Sequence, residues 1–431
     1  MDDKTYMPDR TVAPAVTDVG VMPMPCPDVY TLDNGVTMKV LDAGEDDVCR
    51  ITAVMEGGLA EAPAPYVASL AASALRDGCD GLCADEVADT LDYNGAWFKG
   101  ACNNHHVSAT LYSLNSRLEN VLPVFTSLLQ APAFADKEVG VEAEMRARSL
   151  EVSLEKVDYH ASLAIDRAMM GATHPLVENY VPDDIRGVAA ADLRSLYARN
   201  FDTAGLTVYL AGRISASTRS AVEKAMESLR SIGQRPRLHI VPMSFSSIGR
   251  IDVERPGALQ SAVQMAIPAI GRTHADYVPL RLAVMALGGY FGSRLMSSIR
   301  EDKGYTYGIQ SMLVGAHEGG YVKIETQCDN NYVEPLIENV MAEVAAMATR
   351  PLDDGELTRL KRFYATSLVS QLDSPFTMMD SAITSQLVGT PASYFADQQR
   401  VLSAITADDI ARVSARYLDL SRLTVAVAGK C

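Results

Sequence analysis

The sequence predicts an α+β protein of two homologous domains, each an antiparallel-rich sheet covered by helices, related by a pseudo-two-fold axis. Three observations carry this. Residues 192–213 and 409–430 align without a gap, with nine identities in 22 positions, among them Asp192/Asp409, Asp202/Asp419 and Ala211-Gly212/Ala428-Gly429. The offset of 217 residues is too long for a solenoid unit, so a whole domain is written twice. Tyr66-Val67 and Tyr277-Val278 open the first helix of each copy. Strands gather early and helices late in each half, an α+β order rather than repeated βαβ units. Duplicated domains face each other much as duplicated subunits do, and ligands sit between them.

Residues 1–28 carry Pro8, Pro14, Pro23, Pro25 and Pro27 and no helical period, so they read as an extended arm lying on the first domain. The first domain spans 29–230. It opens on VYTL, Asp33-Asn34-Gly35 and VTMKVL, a hairpin in which Asn-Gly would supply the two positive φ values of a type I′ turn. A strand (CRITAVME), helices near 65–77 and 84–93, two strands around 96–112 and helices from 116 to 200 lead to a closing strand at 206–211. Residues 231–249, with Pro236, Pro242, Ser244, Ser246 and Ser247, read as the linker. The second domain, 250–431, repeats the order: strands near 250–267, helices near 275–287 and 293–302, strands near 305–313 and 320–327, then helices to the closing strand at 423–428. Each closing unit reads as an Asp N-cap, a helix, a polar turn and a strand ending in Ala-Gly, with nothing comparable after it.

Composition narrows the function. A chain of 431 residues with 48% hydrophobic and 21% charged residues can bury two cores. Its net charge of −16 disfavours nucleic acid and anionic membranes as partners. No apolar run approaches a spanning helix, and the start MDDKTYMPDR is acidic where a secretion signal would be basic and then apolar, so a cytoplasmic protein is expected. The seven cysteines (Cys26, Cys49, Cys79, Cys83, Cys102, Cys328, Cys431) are odd in number and scattered, which fits reduced thiols.

This organisation, with LDNG at 32–35 and above all LGGYFGSRLMSSIREDKGYTYGI at 287–309, resembles the insulinase/processing-peptidase family of zinc metallopeptidases, the inverted HxxEH (M16) peptidases. The resemblance runs from about residue 28 to 430. It is most specific at Gly288-Gly289, Ser293-Arg294-Leu295, Arg300, Lys303-Gly304 and Tyr307. Active members carry His-x-x-Glu-His on the first helix, two His one turn apart binding zinc and a Glu activating water, with a further Glu about 75 residues on. Here that helix reads YVASLAASALRDG, so Ser69, Ala72 and Ser73 stand in place of His, Glu and His. The downstream ligand falls near Arg148 or Ser149, with Glu151 within register error. A hydroxyl is a poor zinc ligand and Ala cannot act as a base, so no metal or other cofactor is expected in this chain.

Arg300 and Tyr307 match the family's second-half pair, which the resemblance implies reaches to the zinc centre, polarises the scissile carbonyl and stabilises the oxyanion. Arg300 would end a helix, Gly304 would stop it and Tyr307 would enter the next strand. Outside this motif the same residues would read as an Arg at a helix C-terminus and a half-buried strand Tyr. Together they imply the non-catalytic subunit of a heterodimeric peptidase, acting on peptides held against the zinc of an HxxEH-bearing partner of similar size. The alternative is an inert peptide-binding or structural protein of the same fold, a homodimer or assembly subunit. Gln260-Ser261-Ala262 reads as a strand that could pair with a substrate peptide if it lies at a sheet edge.

Other signals are weaker. His105 and His106 are neighbours on an expected strand and would point to opposite faces, one into the core and one outward. Cys79, Cys83 and Cys102 lack the second paired motif of a structural zinc site. Ser69 and Ser73 have no nearby base to activate them as nucleophiles. LGGYFGS lacks the Lys-Ser/Thr of a phosphate-binding loop.

Overall fold

The structure, a computed structural model, describes residues 9–13, 15, 20–246 and 249–430. Pro8, Pro14, Ser247 and Cys431, singled out above, lie outside the described residues. The first half runs β1 (Asp28–Thr31), β2 (Thr37–Asp42), β3 (Val48–Glu56), α1 (Pro65–Ala74), β4 (Gly78–Cys79), β5 (Leu82–Cys83), α2 (Ala84–Tyr93), β6 (Trp97–Cys102), β7 (His106–Leu114), α3 (Leu118–Gln130), α4 (Asp136–Leu154), α5 (Val157–Met170), α6 (Pro182–Arg186), α7 (Ala190–Asn200), β8 (Thr207–Gly212) and α8 (Ala216–Glu227). The second runs β9 (Arg250–Glu254), β10 (Gln260–Ala269), α9 (Tyr277–Gly288), a π-helical turn Met296–Asp302, β11 (Ile309–Ala316), β12 (Gly319–Asp329), α10 (Val333–Thr349), α11 (Asp354–Val369), α12 (Pro375–Val388), α13 (Tyr394–Ala404), α14 (Ala407–Tyr417) and β13 (Thr424–Gly429).

The duplication is written in the sheets. The first is ordered β1-β2-β8-β3-β7-β6 and the second β11-β12-β10-β13-β9. Reading the second backwards superposes β9 on β2, β13 on β8, β10 on β3, β12 on β7 and β11 on β6. In both, the closing strand pairs parallel to the opening one (β2 with β8, β9 with β13) and the other pairs are antiparallel. β1 has no counterpart in the second sheet. Each sheet buries one face under its own helices, giving one core around Ile51, Leu70, Phe125 and Leu210 and another around Leu280, Ile324, Leu336 and Val427.

The opposite face of each sheet is covered by a helix from the other half. α5 lays Ile165, Ala168 and Met169 on Ala266, Tyr321 and Ala426 of the second sheet. α12 lays Met379 on Leu41, Val54, Tyr209 and Ala211 of the first. Polar bonds fix both: Lys323 Nζ donates to Ser162 Oγ at 3.2 Å and Tyr321 to Asp166 at 3.1 Å, while Arg50 meets Asp380 at 2.6 Å and Tyr209 donates to Gln386 at 2.7 Å. This reciprocal exchange ties the halves together.

Several expectations change. Of the arm, residues 20–27 are held by the second half rather than by the first domain: the Gln399 side chain on α13 bonds both the N–H and the C=O of Met22, each at 2.8 Å, and Met24 packs on the second core. An extended stretch satisfies its backbone with whichever polar side chain reaches it, and its pattern does not say which. The first hairpin is not type I′, because only Gly35 has positive φ (92°). Gly35 N–H bonds Leu32 O, and Asn34 instead spends its side chain on the carbonyls of Met226 and Leu229. Asp192 and Asp409 are not N-caps but stand three residues in, accepting from the backbone N–H of Ala189 and Thr406. The first closing strand is followed by α8, whose Val222 and Met226 join the first core.

Candidate functional site

A cavity of about 1090 Å³ lies between the α4–α5 junction and the face of the second sheet that α5 leaves uncovered. Its floor is a polar stripe: Gln264 on β10, Glu325 on β12 and Gln310 on β11 stand directly opposite one another. Side chains opposite in an antiparallel pair share a face, so the three form one row. Gln310 donates to Glu325, Lys323 neutralises Glu325 at 2.9 Å, and Gln264 donates to the Asp158 carbonyl at 3.3 Å. Tyr159, Tyr290, Phe291, Tyr305, Tyr307 and Tyr332 line the walls, with Tyr305 and Tyr332 stacked at 5.0 Å.

Arg300 and Tyr307 meet beside this cavity. Arg300 sits in the π-helical turn rather than a regular helix end, a form that often marks functional segments. The turn stops where expected: Gly304 takes φ +64° and its N–H bonds Arg300 O. Tyr307 does not enter β11. It lies in the loop before it and is 92% exposed. The Arg300 guanidinium lies 4.8 Å from the Phe291 ring centre and 5.5 Å from that of Tyr307, within cation–π range of both. Stacking leaves the N–H edge of a guanidinium free, and among the described residues no carboxylate pairs with Arg300.

The helix that would carry a metal does not fit one. On α1, Ser69 donates to the Tyr66 carbonyl at 3.1 Å, Ala72 is fully buried, and Ser73 is half-buried. β6 runs flush against this helix: a Cβ on Gly100 would come within 1.8 Å of the Ala72 carbonyl oxygen. The downstream positions are engaged elsewhere, Arg148 with Glu144 at 2.6 Å and Glu151 with Arg186 at 2.6 Å, while Ser149 is exposed. Among the described residues no group of three or more His, Cys, Asp or Glu is arranged to hold a metal ion. Cys79 is buried, Cys83 ends β5 and caps α2 with its N–H bonded to Glu86, and the six described cysteines are free thiols.

β10 is not a sheet edge. Ala262 is paired on both sides, with Gln327 of β12 and Ala428 of β13, and Ser261 is fully buried with its hydroxyl on Asn330. Main-chain pairing with a peptide therefore has no open partner at Ala262; of the three residues, Gln260 lines the cavity, through its side chain. Sequence alone could not rank this strand, because closing strand β13 arrives from 160 residues further along the chain.

One cluster escaped the reading of His105 and His106 as strand neighbours. His105 precedes β7 and is 3% exposed, while His106 is half-buried. The His105 ring donates from Nδ1 to Glu61 at 2.8 Å and from Nε2 to Glu318 at 2.5 Å, and both carboxylates are buried. The bond to Glu318, then that to Glu61, push the imidazole up to about 9 against the opposing effect of burial. Burial is the largest single influence and favours the neutral carboxyls, but the His105 bond, backbone N–H donors and the His105 charge together hold Glu61 and Glu318 below the usual range.

A family profile described as "Peptidase M16 inactive domain" matches residues 187–364, from the end of the first half to α11. An uncharacterized zinc protease of Streptomyces coelicolor is 23% identical over 237 residues, 54% of this chain and 52% of that one. The chain thus spans about half the length of this relative. The non-peptidase homolog YmxG of Helicobacter pylori is 23% identical over 310 residues, 70% of this chain and 71% of that one. Among solved structures, a peptidase M16 inactive domain from Pseudomonas fluorescens superposes with a TM-score of 0.86 at 22% identity, covering 94% of this chain and 98% of that one. A protease from Helicobacter pylori superposes at 0.83 and 15% identity, covering 94% and 100%. Among the described residues no helix is long and apolar enough to cross a membrane. The profile match covers residues 187–364, and the fold of a peptidase M16 inactive domain is shared along almost the whole chain.

Proposed function

We propose that this chain is the Arg/Tyr-bearing subunit of a two-chain peptidase, holding an extended peptide in its cavity against the zinc site of an HxxEH-bearing partner of similar size. One observation carries the reading: Arg300 is stacked between Phe291 and Tyr307, its N–H edge free of carboxylates, beside a cavity large enough for several residues of peptide. A guanidinium and a phenol held together are suited to an oxygen that gains charge during acyl transfer. The loss of zinc-binding residues from α1 supports a division of labour in which the metal comes from the partner. The aromatic walls and amide-rich floor suit main-chain and apolar groups of a peptide.

The test is peptide cleavage by the chain reconstituted with an HxxEH-bearing companion. Tyr307→Phe removes one donor and lowers kcat by about 100-fold or more, a transition-state loss of roughly 3 kcal/mol, with folding and partner binding intact. Arg300→Ala acts similarly and also raises KM, because the cation positions the ground-state peptide. The chain alone, washed with chelator, carries no stoichiometric zinc. Wild-type kcat/KM in both variants would instead favour an inert peptide-binding or structural protein.

A further inference from the structure

We propose that Glu61, His105 and Glu318 form a latch between the two halves that fixes the β11–β12 hairpin, and through it Tyr307, relative to the first half. Glu61 and His105 belong to loops of the first half. Glu318 lies at the tip of the β11–β12 hairpin in the second. The interdomain segment is threaded through the same junction: the His239 N–H donates to Glu61 Oε1 at 2.9 Å and the Met243 N–H to the Glu318 carbonyl at 2.9 Å. Next to Glu318, His317 bonds the carbonyl of Leu387 at 2.6 Å, on the helix that covers the first sheet. Thus the hairpin tip is held by the first half, by the interdomain segment and by α12.

The two arms of the latch are unequal. Glu61 accepts from His105, from the His239 N–H and from the Gly58 N–H at 3.0 Å, so it stays with the first half. Across the junction the Glu318 carboxylate accepts from His105, its other donor being the Glu318 N–H itself, and its second oxygen is buried without a partner. A buried charge that crosses the junction by a single bond is costly once that bond breaks, so the contact is closed or fully parted rather than graded. The latch parts between His105 and Glu318.

The hairpin converts this contact into position. β11 has eight residues, a rigid rod of about 26 Å at roughly 3.3 Å per residue. Its far end is Ile309, two residues after Tyr307. β11 pairs with β12 along its whole length and β12 with β10 up to Gly320, so tip, sheet and the Tyr307 loop move as one body, and the latch sets where that body stands relative to the first half. Glu318 and His105 are therefore positioning residues, and they touch no substrate.

The experiment is hydrogen exchange on the purified chain, comparing wild type with Glu318→Gln. The Met243 amide reports the hairpin side of the junction and the His239 amide the first-half side, while Ala53 and Met265 report the two sheets. A latch that parts between His105 and Glu318 predicts at least about tenfold faster exchange at Met243, with wild-type protection at His239, Ala53 and Met265. Unchanged exchange at Met243, or equal loss at all four, overturns the proposal. Should Glu318→Gln not fold, Glu318→Asp keeps the charge, shortens its reach and is judged by the same four amides. The link to Tyr307 rests on the two-chain reading and has its own readout: in the reconstituted complex Glu318→Gln lowers kcat with little change in KM. Exchange on the chain alone decides the latch whether or not a catalytic partner exists.

Discussion

The two copies of the first helix show how duplication separates architecture from chemistry. On α1 the positions Ser69, Ala72 and Ser73 present two half-buried hydroxyls. On α9 the equivalent positions, counted from the shared Tyr-Val start, are Leu280, Ala283 and Val284, all inside the second core. The same helix in the same place is core-facing all along in one copy and keeps a partly open, small-residue face in the other. Strand order, the parallel closing pair and the exchanged helix recur in both halves, whereas the Arg300–Tyr307 pair is confined to the second. Packing preserves what both halves need; chemistry is free to diverge where a face is open.

The largest effect tests whether the halves are joined by charge as well as by packing. His105→Ala strands two buried carboxylates and is expected to cost about 3–5 kcal/mol, read as a drop in chemical-denaturation stability. A cost below about 1 kcal/mol would mean that the exchanged helices alone join the halves.

The same cluster gives a pH signature. His105 is raised in the folded state from the ordinary imidazole value of 6.5 to about 9, so its contribution is complete below about pH 6.5 and is lost as pH rises through about 9. Glu61 and Glu318, lowered from 4.5, act in the opposite sense: their contribution is present above that value and is lost in acid. The groups nearest the ring are those two carboxylates and His317, whose ring centre is 6.0 Å away; His106 and His174 also act on the cluster electrostatically. Thermal midpoints of wild type should therefore fall between pH 7 and 10 more steeply than those of a Glu61→Leu, His105→Met, Glu318→Leu variant. Parallel curves would show that the triad does not titrate with folding.

A second comparison sets the exchanged helices against each other. Met169 on α5 and Met379 on α12 are both 0% exposed, and each rests on the other half's sheet. Replacement of either by Ala should cost about 2–5 kcal/mol, because a buried Met leaves a cavity as well as lost transfer energy. Met379 is the one buried residue of α12, whereas α5 also buries Ala161, Ile165 and Ala168. The lone anchor can relax into its gap more easily, so Met379→Ala should cost less than Met169→Ala. The reverse order in urea melts would mean that α12 is the firmer of the two clasps.

Much of this was legible in the sequence. The repeated closing unit gave the duplication, strand and helix order gave the class, and the 287–309 segment located Arg300 and Tyr307 together. Periodicity reports that a helix face is buried but not whose sheet buries it, so the exchange of α5 and α12 stayed hidden. Edge or interior position depends on which strand arrives last, so β10 looked like a possible edge. Glu61, His105 and Glu318 sit in loops without period, and Glu318 lies 213 positions beyond His105. Nothing local couples such residues; only the folded chain does.

The smallest effect concerns the segment without a counterpart in the second half. Residues 20–27 lead into β1, the strand the second sheet lacks, yet they are held by α13 of the second half. The grip is one side chain: Gln399 accepts from the Met22 N–H and donates to its carbonyl. Both bonds are partly open to water, and a typical exchange of protein for water bonds is worth about 0.5–1.5 kcal/mol, so Gln399→Ala should lower global stability by about 1 kcal/mol at most. The local consequence should be larger than the global one, because among the described residues Met24 then remains to hold the strap to the second core. Limited proteolysis should cut the variant between residues 20 and 27 well before wild type while leaving the 28–430 body intact. Equal cleavage rates would show that Met24 suffices, and that the asymmetry between a six-stranded and a five-stranded half has no part in joining them.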